Sequence, residues 1–456
     1  MRNNVFNWMK LSSFIFALSA LFASCSNELD EALQPANNGT LQFVVSNFPT
    51  FGESTQTRAI GTQDEGKTAW ADGDNILVHL YSQKYGDQAV TLTFDAENNT
   101  WESDGGTLSY LENETPTITA VYAPDCEIKS DKSIGLLEGK QYGEAEYIPA
   151  KTTISGNTLD IRFESGRTYS RLRIATMSNA SLTVSTEGFT PAGATEVATA
   201  AYTLNTDNNG NAFLYGVFAE DATVSVKQGE VTLKDYTFTA EKNPNGTEHN
   251  KSYALDARPV IDGTLGGKTE ATEEDITALV EQLKEYVGNG ITTIIVPGSK
   301  SAIIEVDGIV LPAVSEAIYR LSKDESYNGK IDLILPDVTE IFDQEFHSAR
   351  ALNSITLPKV TKLADQAFYG TLYLRTITFG SVITEVNELG AIFNQIGYNV
   401  GGCDLILNCG QMNESNVPAP DLTNNIWKFK FENEFKSITL THTGENSECD
   451  ECKALQ

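Results

Sequence analysis

Apolar and polar residues alternate with a period of two at Thr40-Leu41-Gln42-Phe43-Val44-Val45, and short runs of the same kind follow at residues 76–81, 90–94 and 117–122. Clusters such as Asp72-Gly73-Asp74 and Asp104-Gly105-Gly106 separate them. Short strands with turn residues between them describe antiparallel β-structure, and without a helical period the expected class is a sandwich. A second set runs through residues 158–163, 171–174, 213–218, 223–226 and 231–238, with a turn at Asn243-Pro244-Asn245-Gly246 and a last strand near 252–255. The pattern predicts two sandwiches in series, at residues 40–155 and 156–258.

The period then changes. Asp262-Gly263-Thr264-Leu265-Gly266-Gly267 reads as a linker. Thr272 can cap a helix, with Asp275 three residues on, near the positive end of the dipole. Ile276, Leu279, Val280, Leu283, Tyr286 and Val287 form one apolar stripe, and Gly288 and Gly290 end it. A strand at 291–296 and a second helix at 312–321 follow.

A repeat comes next. Leu335-Pro336-x-Val338-Thr339-x-Ile341-x-Asp343-x-x-Phe346 matches Leu357-Pro358-x-Val360-Thr361-x-Leu363-x-Asp365-x-x-Phe368, 22 residues later. Leu352-x-x-Ile355 recurs as Leu374-x-x-Ile377, and a third copy begins at Ile377-Thr378-Phe379-Gly380, gains a residue and decays. A strand plus a leucine-rich half-turn at this period means a leucine-rich solenoid over residues 259–456. One turn cannot bury its apolar residues alone, so turns must stack and the ends must be closed. The helix at 272–287 can close one end. Trp427, Phe429, Phe431 and residues 438–440 can close the other. The expected fold is mainly β: two tandem antiparallel β-sandwiches, then a short leucine-rich repeat solenoid with capping helices.

The amino terminus has a different texture. Arg2 and Lys10 precede an apolar run over residues 11–23, too short for a permanent membrane helix of roughly 20 residues. A basic start, a short apolar run and small exit residues make an export signal. Leu21-Phe22-Ala23-Ser24-Cys25 resembles the lipobox of bacterial lipoproteins. The resemblance implies cleavage between Ser24 and Cys25 and acylation of Cys25, with residues 1–24 as signal and 25–39 as tether. An ordinary signal with a cysteine near its cut site is the plainer reading. Glu28, Asp30 and Glu31 resemble the surface-export signal of lipoproteins in anaerobic Gram-negative bacteria; a solvated tether is the plainer reading there. The expected place is the outer membrane, lipid-anchored and facing the cell exterior, with the anchor as the only membrane contact.

Charge and composition narrow the function. Apolar content of 40% and charged content of 21% are ordinary for folded protein, so disorder is not the default. A formal net charge of −30 argues against nucleic acid as partner, because phosphate binding needs clustered Lys and Arg. Six cysteines leave at least one unpaired if Cys25 carries lipid, so there is no disulfide framework. Cys403 and Cys409, on one strand, would stand about 20 Å apart and should not bond each other. Cys449-x-x-Cys452 lies in a polar acidic tail without a redox-motif context. His79 reads as a strand-face residue, and Asp72-Gly73-Asp74 as a turn rather than a calcium loop. None of His79, His249, His347 and His442 has metal-ligand spacing, and no nucleophile elbow or phosphate loop is present. The expectation is no enzyme, no metal and no cofactor.

An early strand, then Thr57-Arg58-Ala59, then Trp70-Ala71-Asp72-Gly73-Asp74-Asn75-Ile76 resembles the fimbrillin family over about residues 40–258. The resemblance implies transthyretin-like sandwiches and a maturation cut between Arg58 and Ala59 by a trypsin-like protease. It also implies strand exchange with other fimbrillin subunits. Two readings of Arg58 stand, the protease site and a solvated loop arginine. In shaft subunits the chain stops after the second sandwich; here residues 259–456 follow, which favours a tip, accessory or free-standing protein. The 22-residue repeats resemble those of BspA-like surface antigens. Together these imply a cell-surface lipoprotein for adhesion, whose partner is a host or bacterial surface protein or glycan. The alternative is a surface glycan-binding lipoprotein of a nutrient-uptake system.

Overall fold

The computed structural model describes residues 41–51, 66–111, 114–163, 167–241, 245–299, 301–386, 392–408 and 435–441. The fold is mainly β. In the first unit an antiparallel sheet runs in the order Thr100–Ser103, Gly86–Asp95, Asn75–Ser82, Thr117–Tyr122, Ile148–Pro149. Alternation in Asn75–Ser82 sends Ile76, Val78 and Leu80 into the main core and Leu77 into a small cluster with Val121 and Cys126 on the other face. A second sheet of Gln42–Val45, Thr158–Arg162 and Lys151–Ser155 contributes Leu159 and Ile161 to that main core.

The sequence reading set Thr158–Arg162 at the start of the second sandwich. It is instead parallel to Gln42–Val45, with Phe43 opposite Leu159 and Val45 opposite Ile161, and antiparallel to Lys151–Ser155. It therefore closes the first unit, since a strand belongs with the sheet that satisfies its backbone.

The second unit is one six-stranded sheet ordered Ala198–Asn205, Ser181–Pro191, Asn211–Gln228, Ser170–Ala175, Ser252–Asp256, with Val231–Thr237 beside Asn211–Gln228. Its two long strands lose register between Glu187 and Phe189, where Gly188 has φ +70° and a Cβ would meet Ala222 at 3.1 Å. The bend lets one sheet enclose a core of Leu172, Ile174, Val184, Phe189, Phe218 and Val226.

The third unit carries two described α-helices. Glu273–Gly288 has Thr272 as N-cap in a reciprocal capping box with Asp275, and buries Ile276, Leu279, Leu283 and Tyr286. Ala313–Lys323 buries Ala317, Ile318 and Leu321 in the same core. Six parallel strands follow in spatial order: Thr293–Ile295, Ile331–Ile334, Leu352–Leu357, Thr376–Phe379, Cys403–Asn408, Phe435–Thr441. Across the core, Glu340–Ile341, Lys362–Leu363 and Glu385–Val386 form a second parallel ladder. Ser354 faces Thr376 and Glu340 faces Lys362, both at the 22-residue spacing. Lys362 faces Glu385, one residue further, which is the extra residue of the third copy. Phe346, Phe368 and Phe393 stack at 5.5 and 5.8 Å between centroids, one ring per turn.

Candidate functional site

Cys25, Ser24, Arg58 and Ala59 lie outside the described residues, as do Cys409, Cys449, Cys452, Trp427, Phe429, Phe431 and His442. The strand that precedes Arg58 is described. Among the described residues, Gln42–Val45 occupies the edge of its sheet and pairs with one neighbour. Leu41 and Phe48 are buried, Phe43, Val45 and Phe51 pack against the core, and Val44 is exposed. Lifting residues 41–51 away would uncover about five apolar side chains, on the order of 5–10 kcal/mol.

Three contacts hold this segment where it leaves the sheet. The Ser46 N–H donates to the Ile161 carbonyl at 3.0 Å, and the Ser46 hydroxyl accepts from the Phe163 N–H at 2.9 Å. Trp70 Nε1–H donates to the Ser46 carbonyl at 2.9 Å, and its ring meets Phe48, Trp101, Tyr122 and Phe163 edge-on at 4.8–5.4 Å. Trp70 is half-buried and packs against the first core through these rings.

The third contact is Arg167, which the sequence reading missed. It is 1% exposed. Its Nη1 donates to the Pro49 carbonyl at 2.6 Å, its Nη2 pairs with Glu146 at 2.9 Å, and its guanidinium lies 3.8 Å from the Phe51 ring centroid. Burial pushes the Glu146 carboxyl up from its ordinary value even with Arg167 opposing. Arg171 and Arg173 are buried too, although alternation alone would turn them outward. Arg171 lines a cleft of about 510 Å³ between the two β-units, with Glu144, Glu146, Tyr122, Phe213 and Tyr215. Gly66 and Lys67, where the chain returns after Arg58, stand at its rim. Lys67 bonds Asp74 and reaches the Tyr122 hydroxyl at 3.0 Å.

Asp72-Gly73-Asp74 is a turn: Asp74 accepts from the Ala71 N–H at 2.6 Å, Asp72 from the Ala96 N–H at 3.1 Å, and Gly73 has φ +80°. These carboxylates are committed to backbone and Lys67. His79 lies on its strand, its ring nitrogen 2.9 Å from Asp87. Cys126 and Cys403 are buried free thiols, pushed up to about 11 and about 12 mainly by burial. Among the described residues no three His, Cys, Asp or Glu side chains gather as a metal site, and no helix is long and apolar enough to cross a membrane.

Two further features lie in the third unit. Glu345 is 3% exposed and accepts from the Ser315 hydroxyl at 2.9 Å and the Phe342 N–H at 2.8 Å. Burial lifts its carboxyl to about 7. It lines a cleft of about 130 Å³ with Ile303 and Phe342 at its wall. At the starting ends of the parallel strands stand Lys330, Arg350 and Arg375; Lys330 and Arg350 lie over Tyr373, and Arg375 is near Lys330.

No protein-family model matches the chain, and no curated protein does. Two solved structures resemble it in part. One is of a proposed cell adhesion protein from Bacteroides fragilis, at 10% identity over 47% of this chain and 92% of that one, with a TM-score of 0.24. The other is of a fimbrial protein from Bacteroides ovatus, at 10% identity over 48% of this chain and 48% of that one, with a TM-score of 0.24.

Proposed function

We propose that the chain is a lipid-anchored adhesion protein of the bacterial cell surface, of fimbrillin type, and that it serves as a pilus tip or accessory subunit. Its binding module is the leucine-rich repeat solenoid at the carboxyl end, and it binds rather than catalyses. The observation that carries the reading is the first strand. Among the described residues it is an edge strand paired on one side, and it is joined to the rest of its sandwich through the stretch that contains Arg58. A cut between Arg58 and Ala59 would leave residues 41–51 held by non-covalent contacts alone. A donor strand could then take over the groove, because an open edge above apolar side chains is unfavourable until paired. The 22-residue spacing of the parallel ladders supports the repeat module.

A second reading is a surface glycan-binding lipoprotein of a nutrient-uptake system. The basic, tyrosine-bearing end of the parallel sheet favours it. The test that separates the two is limited trypsin treatment of the mature protein. On the first reading, cleavage after Arg58 releases the amino-terminal fragment and the remainder forms strand-exchanged oligomers, while Arg58→Ala gives neither. Cleavage that leaves a monomer with its fragment bound, or oligomers from Arg58→Ala, would overturn it.

A further inference from the structure

In the third unit most described cations have a carboxylate partner. Lys268 pairs with Asp275, Lys284 with Asp324, Arg320 with Glu273, Lys359 with Asp337, Lys362 with Glu385 and Lys436 with Asp404. Among the described residues, Lys323, Lys330, Arg350 and Arg375 have none. They are not scattered. Lys330, Arg350 and Arg375 lie at the starting ends of Ile331–Ile334, Leu352–Leu357 and Thr376–Phe379. Lys323 ends the second helix, beside Ser322, whose hydroxyl accepts the Ala351 N–H at 2.9 Å. Lys330 Nζ donates to the Arg350 carbonyl at 2.9 Å and stands 4.2 Å from the Tyr373 centroid; the Arg350 guanidinium stands 5.9 Å from the same ring. His347, near Lys323, stacks on Tyr369 at 5.2 Å.

We propose that this end of the parallel sheet binds an anionic polysaccharide, which lies across successive strands and presents carboxylate or sulfate groups to Lys330, Arg350 and Arg375. The assignment rests on reading the repeat unit as the binding module. Charge complementarity is the first reason. The chain carries −30 overall, yet here like charges crowd together, and burial with Arg350 and Arg375 pulls the Lys330 ammonium below its ordinary value. A bound anion relieves that repulsion. At physiological salt the screening length is about 8 Å, so the cluster acts on a touching ligand while the distant acids do not.

The neighbouring surface selects a sugar polymer over an acidic peptide. Half-exposed Thr376 and Thr378 offer hydroxyl partners along the same strands, while Asn353 and Ser354 donate to Asp332 at 2.7 and 2.6 Å and so hold the one carboxylate of Ile331–Ile334. Tyr369 and Tyr373 add flat rings. None of the exposed large apolar side chains belongs to these three strands, so the strands themselves present no exposed aliphatic side chain. Strands recur about every 4.8 Å, which suits a ligand with periodic charge.

The test uses the full mature chain at physiological salt with heparin, polygalacturonate, neutral dextran and poly-L-glutamate as probes. Heparin or polygalacturonate should bind and dextran should not. The Arg350→Glu/Arg375→Glu double variant should lose at least about tenfold in affinity. Tyr373→Ala should weaken binding with an unchanged unfolding temperature, which separates loss of the site from loss of the fold. Poly-L-glutamate binding as tightly as the polysaccharides, or full affinity in the charge-reversed double variant, would overturn the assignment. So would absence of binding to both anionic polysaccharides. Cells that display the charge-reversed chain and still adhere would sink this site and leave the adhesion reading standing. Trypsin-driven oligomers unchanged in the same variant would show the strand-exchange reading to be independent of it.

Discussion

Buried ionisable residues show where this chain departs from its own pattern. Glu345 occupies the repeat position that Ala367 fills 22 residues later. An alanine suffices where one turn packs on another. At the first full turn the neighbour is the second helix, and Glu345 ties the two together through Ser315. The ordinary carboxyl value is 4.5 and the folded one about 7. The folded state therefore holds this proton more tightly than the unfolded chain. The stability it contributes is full below about pH 4.5 and is lost as pH rises through 7, by roughly 3 kcal/mol. Denaturation midpoints at pH 5 and pH 8 check this: Glu345→Gln should gain on the wild type at pH 8 relative to pH 5. An equal difference at both values would show that Glu345 ionises freely. Other carboxylates work the opposite way. Asp275, held down to about 2 first by Lys268 and then by Thr272, contributes stability that is lost as pH falls. Arg167 and Glu146 had no visible sequence signal. Two of the partners of Arg167, Pro49 and Phe51, are over a hundred residues from it, and nothing local marks a buried cation.

Local periodicity made the elements readable, and remote pairing made their allegiance unreadable. The capped helix at Thr272, the apolar stripe and the 22-residue ladder all follow from side-chain spacing, and each appears where that spacing put it. Thr158–Arg162 was legible as a strand but not as a member of the first unit, because its neighbour is Gln42–Val45 and parallel pairing leaves no turn signal between partners. Decay of the third repeat copy also has a physical cause. Pro336 and Pro358 give way to Gly380, whose Cβ would lie 2.8 Å from the Pro358 Cα and carbonyl oxygen. Since both are backbone atoms, Gly380→Ala must push two turns apart, at a cost of about 1–3 kcal/mol. Gly288, with nothing within 4 Å of its Cβ position, is the matched control, and Gly288→Ala should be neutral or slightly stabilising. Equal midpoints for the two variants in chemical denaturation would contradict close contact at Gly380.

At the scale of the whole molecule, three cores share one chain and one strongly negative charge. Like charges of this number repel one another across the surface. Against that background the first strand and the basic end of the parallel sheet are local exceptions. One is a four-residue edge strand that pairs on one side among the described residues, and the other has no carboxylate partner for its charge among the described residues. The proposed function joins them: an anchored amino terminus, a sandwich with an exchangeable strand, and a repeat unit that makes the contact. All of this requires the chain to be held at the cell boundary by its amino end. The direct measurement is mass spectrometry of the amino-terminal peptide from the protein isolated from its own cells, with its membrane fraction recorded. The expected result is a chain that begins at Cys25 with an acylated thioether and sits in the outer membrane. A chain that retains Met1, or an unmodified Cys25 in the soluble fraction, would contradict it.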